Sequence, residues 1–361
     1  MSRLFRSTGV LLLLCLLLSN VQSQATCVGC PPRLPISVST IASLGGGIAD
    51  GPPPIDIAFH PNSQHFLTIT TPSLFESDRE LPNFLSIWTI IEEEEFVYWD
   101  KEFSLNANDT LRHVAFSRIS DVMAAGEDNG VLSFWDMKQR RILSVRLWDE
   151  TAITDLVFHP KDNLLVAVGN HQQVRVYPVE AENHPFVELP LNAGFVSNVA
   201  FNADGTIMVI GVDETVTLWS VQDLFLINSF SVADETVQRV LLPSQQPDTI
   251  ITIAGAKVKR WKWDGKELSN ALQFDIPALE TTDLSVTAAD LSADGSVLIT
   301  VYNKKEVIVW ATDTGDLIDV PILSVLHSER DPRDIYSVGF SPDGMWLMFG
   351  TGFGMVYFIV A

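Results

Sequence analysis

The sequence predicts an all-β fold, and three observations carry that prediction. One strand-and-turn unit recurs along the chain, its period is roughly 40 to 50 residues, and an aromatic side chain closes every copy. The clearest copy runs from Phe201 to Trp219. Ala203-Asp204-Gly205 supplies a tight turn with a glycine to take positive φ, Thr206 to Gly211 is a short apolar run, Val212 to Glu214 turns again, and Val216 to Trp219 closes the unit. Such a unit cannot bury both of its faces alone, so only repetition makes it stable.

Aligned on the first aromatic or apolar position, the copies begin at Phe59, Phe116, Phe158, Phe201, Leu242, Leu291 and Phe340. They close at Trp88, Trp135, Tyr177, Trp219, Trp261, Trp310 and Phe358. Six of these intervals are 18 or 19 residues; the first is longer, and Thr71 to Asn83 reads as an insertion in a strand-to-strand loop. Between copies lies enough chain for an outer strand, a crossing loop and an inner strand. Four strands per unit at this period predict a seven-bladed β-propeller with four-stranded antiparallel blades, spanning residues 36–361 as one domain.

The turns carry a family likeness. Phe340-Ser341-Pro342-Asp343-Gly344, Phe158-His159-Pro160 and Phe59-His60-Pro61 stand at the first turn, and Phe134-Trp135-Asp136, Leu218-Trp219-Ser220 and Val309-Trp310-Ala311 at the end of the third strand. On these residues the chain resembles the WD-repeat family over nearly all of its length after residue 35. It departs in two respects. No histidine follows a glycine, and the Asp expected six residues before the closing aromatic is present only as Asp213, with Asn129 and His171 as partial stand-ins.

Residues 1–23 read as a secretory signal peptide. A basic start with Arg3 and Arg6 precedes the apolar run Gly9 to Leu18 and a polar stretch ending at Ser23, and the apolar run is too short to span a bilayer. No later run is long and apolar enough to cross, and the C-terminal residues carry no retention or lipid-attachment signal, so a secreted or luminal protein is expected. Residues 24–35 form a tail with Cys27-Val28-Gly29-Cys30 followed by Pro31-Pro32, where a Cys27–Cys30 or intermolecular disulfide suits an oxidising compartment. Ile36 to Ile41 alternates apolar and polar and is expected to supply the outer strand of the last blade, closing the ring. Asn108-Asp109-Thr110 is the only N-glycosylation sequon, in an expected loop. Glu92 to Glu95 reads as a solvated acidic crossing loop, and the glycine run Gly45–Gly47 as a linker.

A net charge of −22 excludes nucleic acid and anionic membrane surfaces as partners, because both require basic patches, and favours a basic protein or peptide. No cofactor is implied. His60 and His159 occupy the same position in two copies and read as a repeat feature; the remaining histidines show no ligand spacing, and no nucleophile elbow is present.

In WD-repeat proteins the position four residues before the first-turn aromatic tends to lie on the partner-binding face. The resemblance places Ile55, Arg112, Thr154, Ser197, Gln238, Thr287 and Tyr336 there, beside Asp56, His113, Asp155, Asn198, Arg239, Ala288 and Ser337. Arg and Tyr most often anchor interfaces, which selects Arg112, Arg239 and Tyr336. The function expected is a non-enzymatic protein-interaction scaffold. Two alternatives differ in class: a metal-dependent hydrolase or lactonase, with Asp56, Asp155 and Asn198 converging in the channel, and a glycan-binding propeller with exposed repeating aromatics.

Overall fold

The computed structural model describes residues 41–43, 54–70, 83–93, 96–107, 111–148, 151–169, 173–179, 186–191, 194–276, 284–318, 334–351 and 354–359. All fall in the compact unit Arg33–Ala361 and none in Met1–Pro32. The signal segment, Cys27, Cys30, the Asn108 sequon and most of the first-copy insertion therefore lie outside the described residues.

Every named element is a strand. β2 (Pro54–Phe59), β3 (His65–Thr70), β4 (Asn83–Glu93) and β5 (Phe96–Ala107) pair in chain order as one antiparallel sheet. The next is β6 (Leu111–Phe116), β7 (Val122–Glu127), β8 (Val131–Asp136) and β9 (Arg141–Leu147). The third is β10 (Ile153–Phe158), β11 (Leu164–Gly169), β12 (Gln173–Pro178) and the two-residue β13 (Val187–Glu188). β14 (Val196–Phe201), β15 (Ile207–Val212), β16 (Thr215–Ser220) and β17 (Leu226–Ser231) follow, then β18 (Val237–Leu241), β19 (Thr249–Ala254), β20 (Lys257–Trp263) and β21 (Leu268–Phe274). β22 (Val286–Leu291), β23 (Val297–Tyr302) and β24 (Glu306–Ala311) make a shorter sheet. The last sheet runs β25 (Ile335–Phe340), β26 (Trp346–Thr351), β27 (Gly354–Ile359) and then β1 (Ile41–Ser43).

This corrects the expectation of seven four-stranded blades. Among the described residues the chain builds six four-stranded blades, not seven, and the sheet β22–β24 holds three strands. Among the described residues its outer edge is met by a bridge between Trp310 and Leu317 and by bonds from the Ile318 N–H to the Val309 carbonyl at 2.8 Å and from the Ala311 N–H to the Asp316 carbonyl at 2.9 Å.

The outer strand of the last blade comes from the other end of the sequence. Ile41, Ala42 and Ser43 face Phe358, Tyr357 and Val356 in antiparallel register. Only Ile41 belongs to the stretch expected to do this, and residues 36–40 lie outside the described residues. The acidic run also sits differently from its expected place in a crossing loop. Ile90 and Ile91 carry β4 on to Glu93, and β5 resumes at Phe96 in register with it, so Glu92 and Glu93 lie near the tip of a long hairpin within the first blade.

The core lies between the sheets. Met208, Ile210 and Val212 of β15 cluster with Val166, Val168 and Val174 of the sheet before, whereas Val209 on the opposite face clusters with Val237, Val240 and Ile250 of the sheet after. Middle strands are consequently buried on both faces, which is why their sequences read as unbroken apolar runs. The closing tryptophans anchor this layer. The indole N–H groups of Trp88, Trp135, Trp219, Trp261 and Trp310 donate to Thr68, Ser133, Thr217, Thr252 and Thr300 hydroxyls at 2.8–3.0 Å.

Turns lock one sheet to the next. His159 accepts the Asp162 N–H on Nδ1 at 2.8 Å, so Nε2 carries the proton it donates to the Gly205 carbonyl, also at 2.8 Å. Gly205 has φ +79°, and a Cβ there would collide with that imidazole. His159 also stands edge-on to Phe201, as His60 does to Phe116, with ring centroids 5.1 and 4.9 Å apart. The repeated histidine is a brace between neighbouring sheets. Across the closure, Ser63 Oγ accepts the Asp343 N–H at 3.0 Å.

Thr300→Val leaves the buried Trp310 indole without its acceptor and is expected to lower the unfolding free energy by about 1–3 kcal/mol, read by chemical denaturation. Deleting residues 24–43 removes β1 and is expected to lower the melting temperature in one cooperative transition; an unchanged melting curve would show that β1 is dispensable.

Candidate functional site

Seven inner strands surround a cavity of about 750 Å³. Each carries a register shift near its start: between Pro54 and Asp56, Leu111 and His113, Ile153 and Asp155, Val196 and Val199, Val237 and Arg239, Val286 and Ala288, and Ile335 and Ser337. A bulge of this kind re-aims the side chain that follows it. Asp56, His113, Asp155, Asn198, Arg239, Ala288 and Ser337 all line the cavity in consequence.

The neighbouring expected ring divides. Thr154, Ser197 and Thr287 donate to carbonyls of the second strand of their own sheets, at Val168, Gly211 and Val301, over 3.2–3.4 Å. Gln238 donates to Ser285 Oγ at 3.2 Å. Arg112 is half-exposed and forms a two-pronged pair with Asp128 at 2.7 and 2.9 Å, outside the cavity lining. Tyr336 does line the cavity, with Lys304 Nζ 4.6 Å from its ring centroid. Of the three residues selected as partner anchors, Arg239 and Tyr336 thus face the channel and Arg112 stands apart.

Most polar groups of the ring reach sideways into the next sheet. Asp56 Oδ2 accepts the Val114 N–H at 3.2 Å, Asp155 Oδ2 the Val199 N–H at 2.9 Å, and Asp290 Oδ2 the Phe340 N–H at 2.7 Å. Asn198 accepts the Val240 N–H at 2.8 Å and donates to the Val240 carbonyl at 3.2 Å. Asp56 and Asp155 each turn their other oxygen to their own strand, at the Ile57 and Leu156 N–H groups. These oxygens are committed to backbone donors, and no three His, Cys, Asp or Glu side chains gather into a metal-binding group among the described residues. Asp56, Asp155 and Asn198 therefore do not converge as the metal-dependent alternative requires.

Arg239 differs from its neighbours. Among the described residues its guanidinium makes no hydrogen bond or ion pair, yet its charge acts on Asp56, Asp155, Asp290 and His113, which come from four other sheets. Burial pushes the Asp56 carboxyl up to about 7 and Asp290 to about 6, with Arg239 pulling both part of the way back; Asp155 is raised for the same reason. Burial, reinforced by Arg239 and Arg112, pushes His113 down to about 3. His113 Nδ1 lies 3.8 Å from Asp56 Oδ2, but a neutral imidazole makes this no ion pair at neutral pH.

Three contributors escape the sequence reading. Asp290 is an isolated carboxyl in the run Ala288-Ala289-Asp290-Leu291, and a lone acid in a buried strand is the signal that could have marked it. Arg118 follows Phe116 by two residues and lines the cavity at the position that Pro61, Pro160, Ala203, Ser244, Ala293 and Pro342 hold in the other units, where it is the one charged residue. Asn303, whose Oδ1 accepts the Ser285 N–H at 3.0 Å, does what Asp213 does for the Phe195 N–H at 2.8 Å. It stands seven rather than six residues before its tryptophan because its turn is one residue longer.

No family model matches the chain. Curated relatives are distant: apoptotic protease-activating factor 1 of Rattus norvegicus is 20% identical over 323 residues, 82% of this chain and 25% of that protein. WD repeat and SOCS box-containing protein 1 of Takifugu rubripes is 28% identical over 127 residues, 34% of this chain and 30% of that protein. The chain thus spans between a quarter and a third of these relatives. Among solved structures, the β-propeller domain of Cps50 (Swd1) from Myceliophteria thermophila superposes with a TM-score of 0.70 at 11% identity, covering 90% of this chain and 99% of that domain. The chain is a β-propeller, and its curated relatives are WD-repeat proteins, the likeness that its turns carry.

Folded Asp56 and Asp290 keep protons up to about 7 and 6, whereas unfolded carboxyls release theirs near ~4, so their contribution to stability falls as pH rises from ~4 to ~7. His113 works the other way, since the unfolded imidazole gains a proton below ~6.5 that the folded one refuses until about 3. Asp56→Asn, which copies the arrangement found at Asn198, is expected to flatten the fall in stability between ~pH 4 and ~pH 7; a slope equal to the parent's would refute this assignment.

Proposed function

We propose that the propeller is a non-enzymatic scaffold of the secretory pathway or extracellular space that binds a protein partner on the face where its inner strands begin. The observation that carries this is Arg239, an unpaired guanidinium lining an open channel whose other polar groups are largely committed to backbone. A guanidinium offers several donors in a fixed fork and pairs best with a carboxylate or with peptide carbonyls. Tyr336 gives the same channel an aromatic surface, and Arg112 adds a half-exposed charge outside it. WD-repeat relatives support the scaffold reading, and the net charge of −22 favours a partner whose surface is basic overall. The secretory assignment rests on the basic and apolar residues 1–23.

Affinity capture from medium or secretory lumen tests the reading, using the full chain and the Arg239→Ala and Tyr336→Ala variants, with Met345→Ala as an exposed control. Each channel variant is expected to weaken a captured partner by roughly tenfold or more, as interface anchors do, and the control to leave it unchanged. Capture that survives both channel substitutions would move the binding surface elsewhere.

A further inference from the structure

Residues 137–148 contrast with the rest of this acidic chain: they hold Lys138, Arg140, Arg141 and Arg146 and no carboxylate, against a net charge of −22 overall. Most of this stretch is β9, the outermost strand of its sheet, and no described strand pairs with its free side. The other outer strands differ. β17 and β21 carry no charged residue, β13 is two residues long and ends on Glu188, and β5 has two acids to one lysine.

The register of β9 sorts its side chains. Leu147, Val145 and Ile142 stand opposite Val131, Ser133 and Trp135 of β8, whereas Arg146, Ser144 and Arg141 stand opposite Leu132, Phe134 and Asp136. A bulge between Ile142 and Ser144 restores the alternation, so that three apolar side chains share one face and two arginines share the other. The apolar three are exposed, Leu147 by 73%, Ile142 by 47% and Val145 by 45%. Exposed aliphatic side chains on an unpaired edge are what soluble sheets avoid unless something covers them.

We infer that β9 is a docking edge for an extended partner segment of alternating apolar and acidic residues, which joins the blade as a fifth strand. Its apolar side chains lie against Ile142, Val145 and Leu147, its carboxylates reach Arg141 and Arg146, and its backbone fills the open ladder. Charge complementarity fixes the occupant, because a basic or neutral strand gains nothing from those arginines. Of the nearby acids, Asp121 is taken up by Lys138 at 2.5 Å and Asp136 stands opposite Arg141, while the acidic surface beyond ~8 Å is screened at physiological ionic strength. This surface is separate from the channel, and the proposal stands whether or not the channel binds a partner.

The test is fluorescence anisotropy on the full chain, with a labelled seven-residue peptide alternating valine and glutamate. Binding is expected, at least tenfold tighter than that of the same peptide with lysine for glutamate. Of its two forms N-methylated at alternate amides, one is expected to lose binding and the other to keep it, the signature of pairing along one edge. Arg141→Glu with Arg146→Glu is expected to weaken binding at least tenfold while the melting temperature holds, and Leu147→Asp to weaken it independently of charge reversal. No binding by the unmodified peptide, equal binding of both methylated forms, or indifference to the arginine reversal would overturn the proposal. So would concentration-dependent self-association that Leu147→Asp abolishes, which would make a second copy of this chain the occupant.

Discussion

Four of the seven inner strands are tied to the next by a side chain that reaches sideways into its neighbour's backbone, and much of the molecule follows from that tie. Asp56, Asp155, Asn198 and Asp290 meet backbone N–H groups one sheet further round, at Val114, Val199, Val240 and Phe340. A buried N–H without an acceptor costs about as much as a lost hydrogen bond, so the ties satisfy donors on strands that have no partner on their inner edge. On β2 and β10 the bulge precedes the tying carboxyl and turns it across the gap.

Where the tie is missing, chemistry is left over. His113 and Arg239 hold the positions that Asp56, Asp155 and Asn198 hold elsewhere, and neither is an acceptor of backbone N–H in that role. Arg239 instead serves as a shared counter-charge for carboxyls arriving from three other sheets, which explains how so many acids coexist around one narrow opening. Arg118 lines the same opening and adds to this effect at Asp290, and anything that engages the Arg239 guanidinium alters the proton affinity of the acids around it.

The repeat itself was legible because its signals are local. An aromatic at a nearly fixed distance closes each unit whatever surrounds it, a glycine of positive φ marks the first turn at Gly205, Gly295 and Gly344, and the structure puts strands at those places. The bulged ring was legible too, at Asp56, Asp155, Asn198 and Arg239, since it falls at a constant offset from the first aromatic. What escaped depends on things a period does not encode. The count of four-stranded blades among the described residues is six because the edge beyond β24 shows only a bridge at Leu317 there, and Asn303 hid behind a turn one residue longer than its equivalents. Asp290 stands one residue before the first apolar position of its unit, where the other units carry Ala, Val, Leu or Gly, so the repeat gave no reason to expect a carboxyl there.

The pairing of β1 with β27 has a temporal side. Its two strands, Ile41–Ser43 and Gly354–Ile359, stand at opposite ends of the described chain, and a chain made from its N-terminus has the first long before the second. Throughout that interval the earliest strand has no partner, and the first blade has no neighbour on its closing side. The ring therefore closes as one of the last events after synthesis, by a contact of very high sequence separation. Contacts of that kind are slow to form and leave edges open to other chains while they wait.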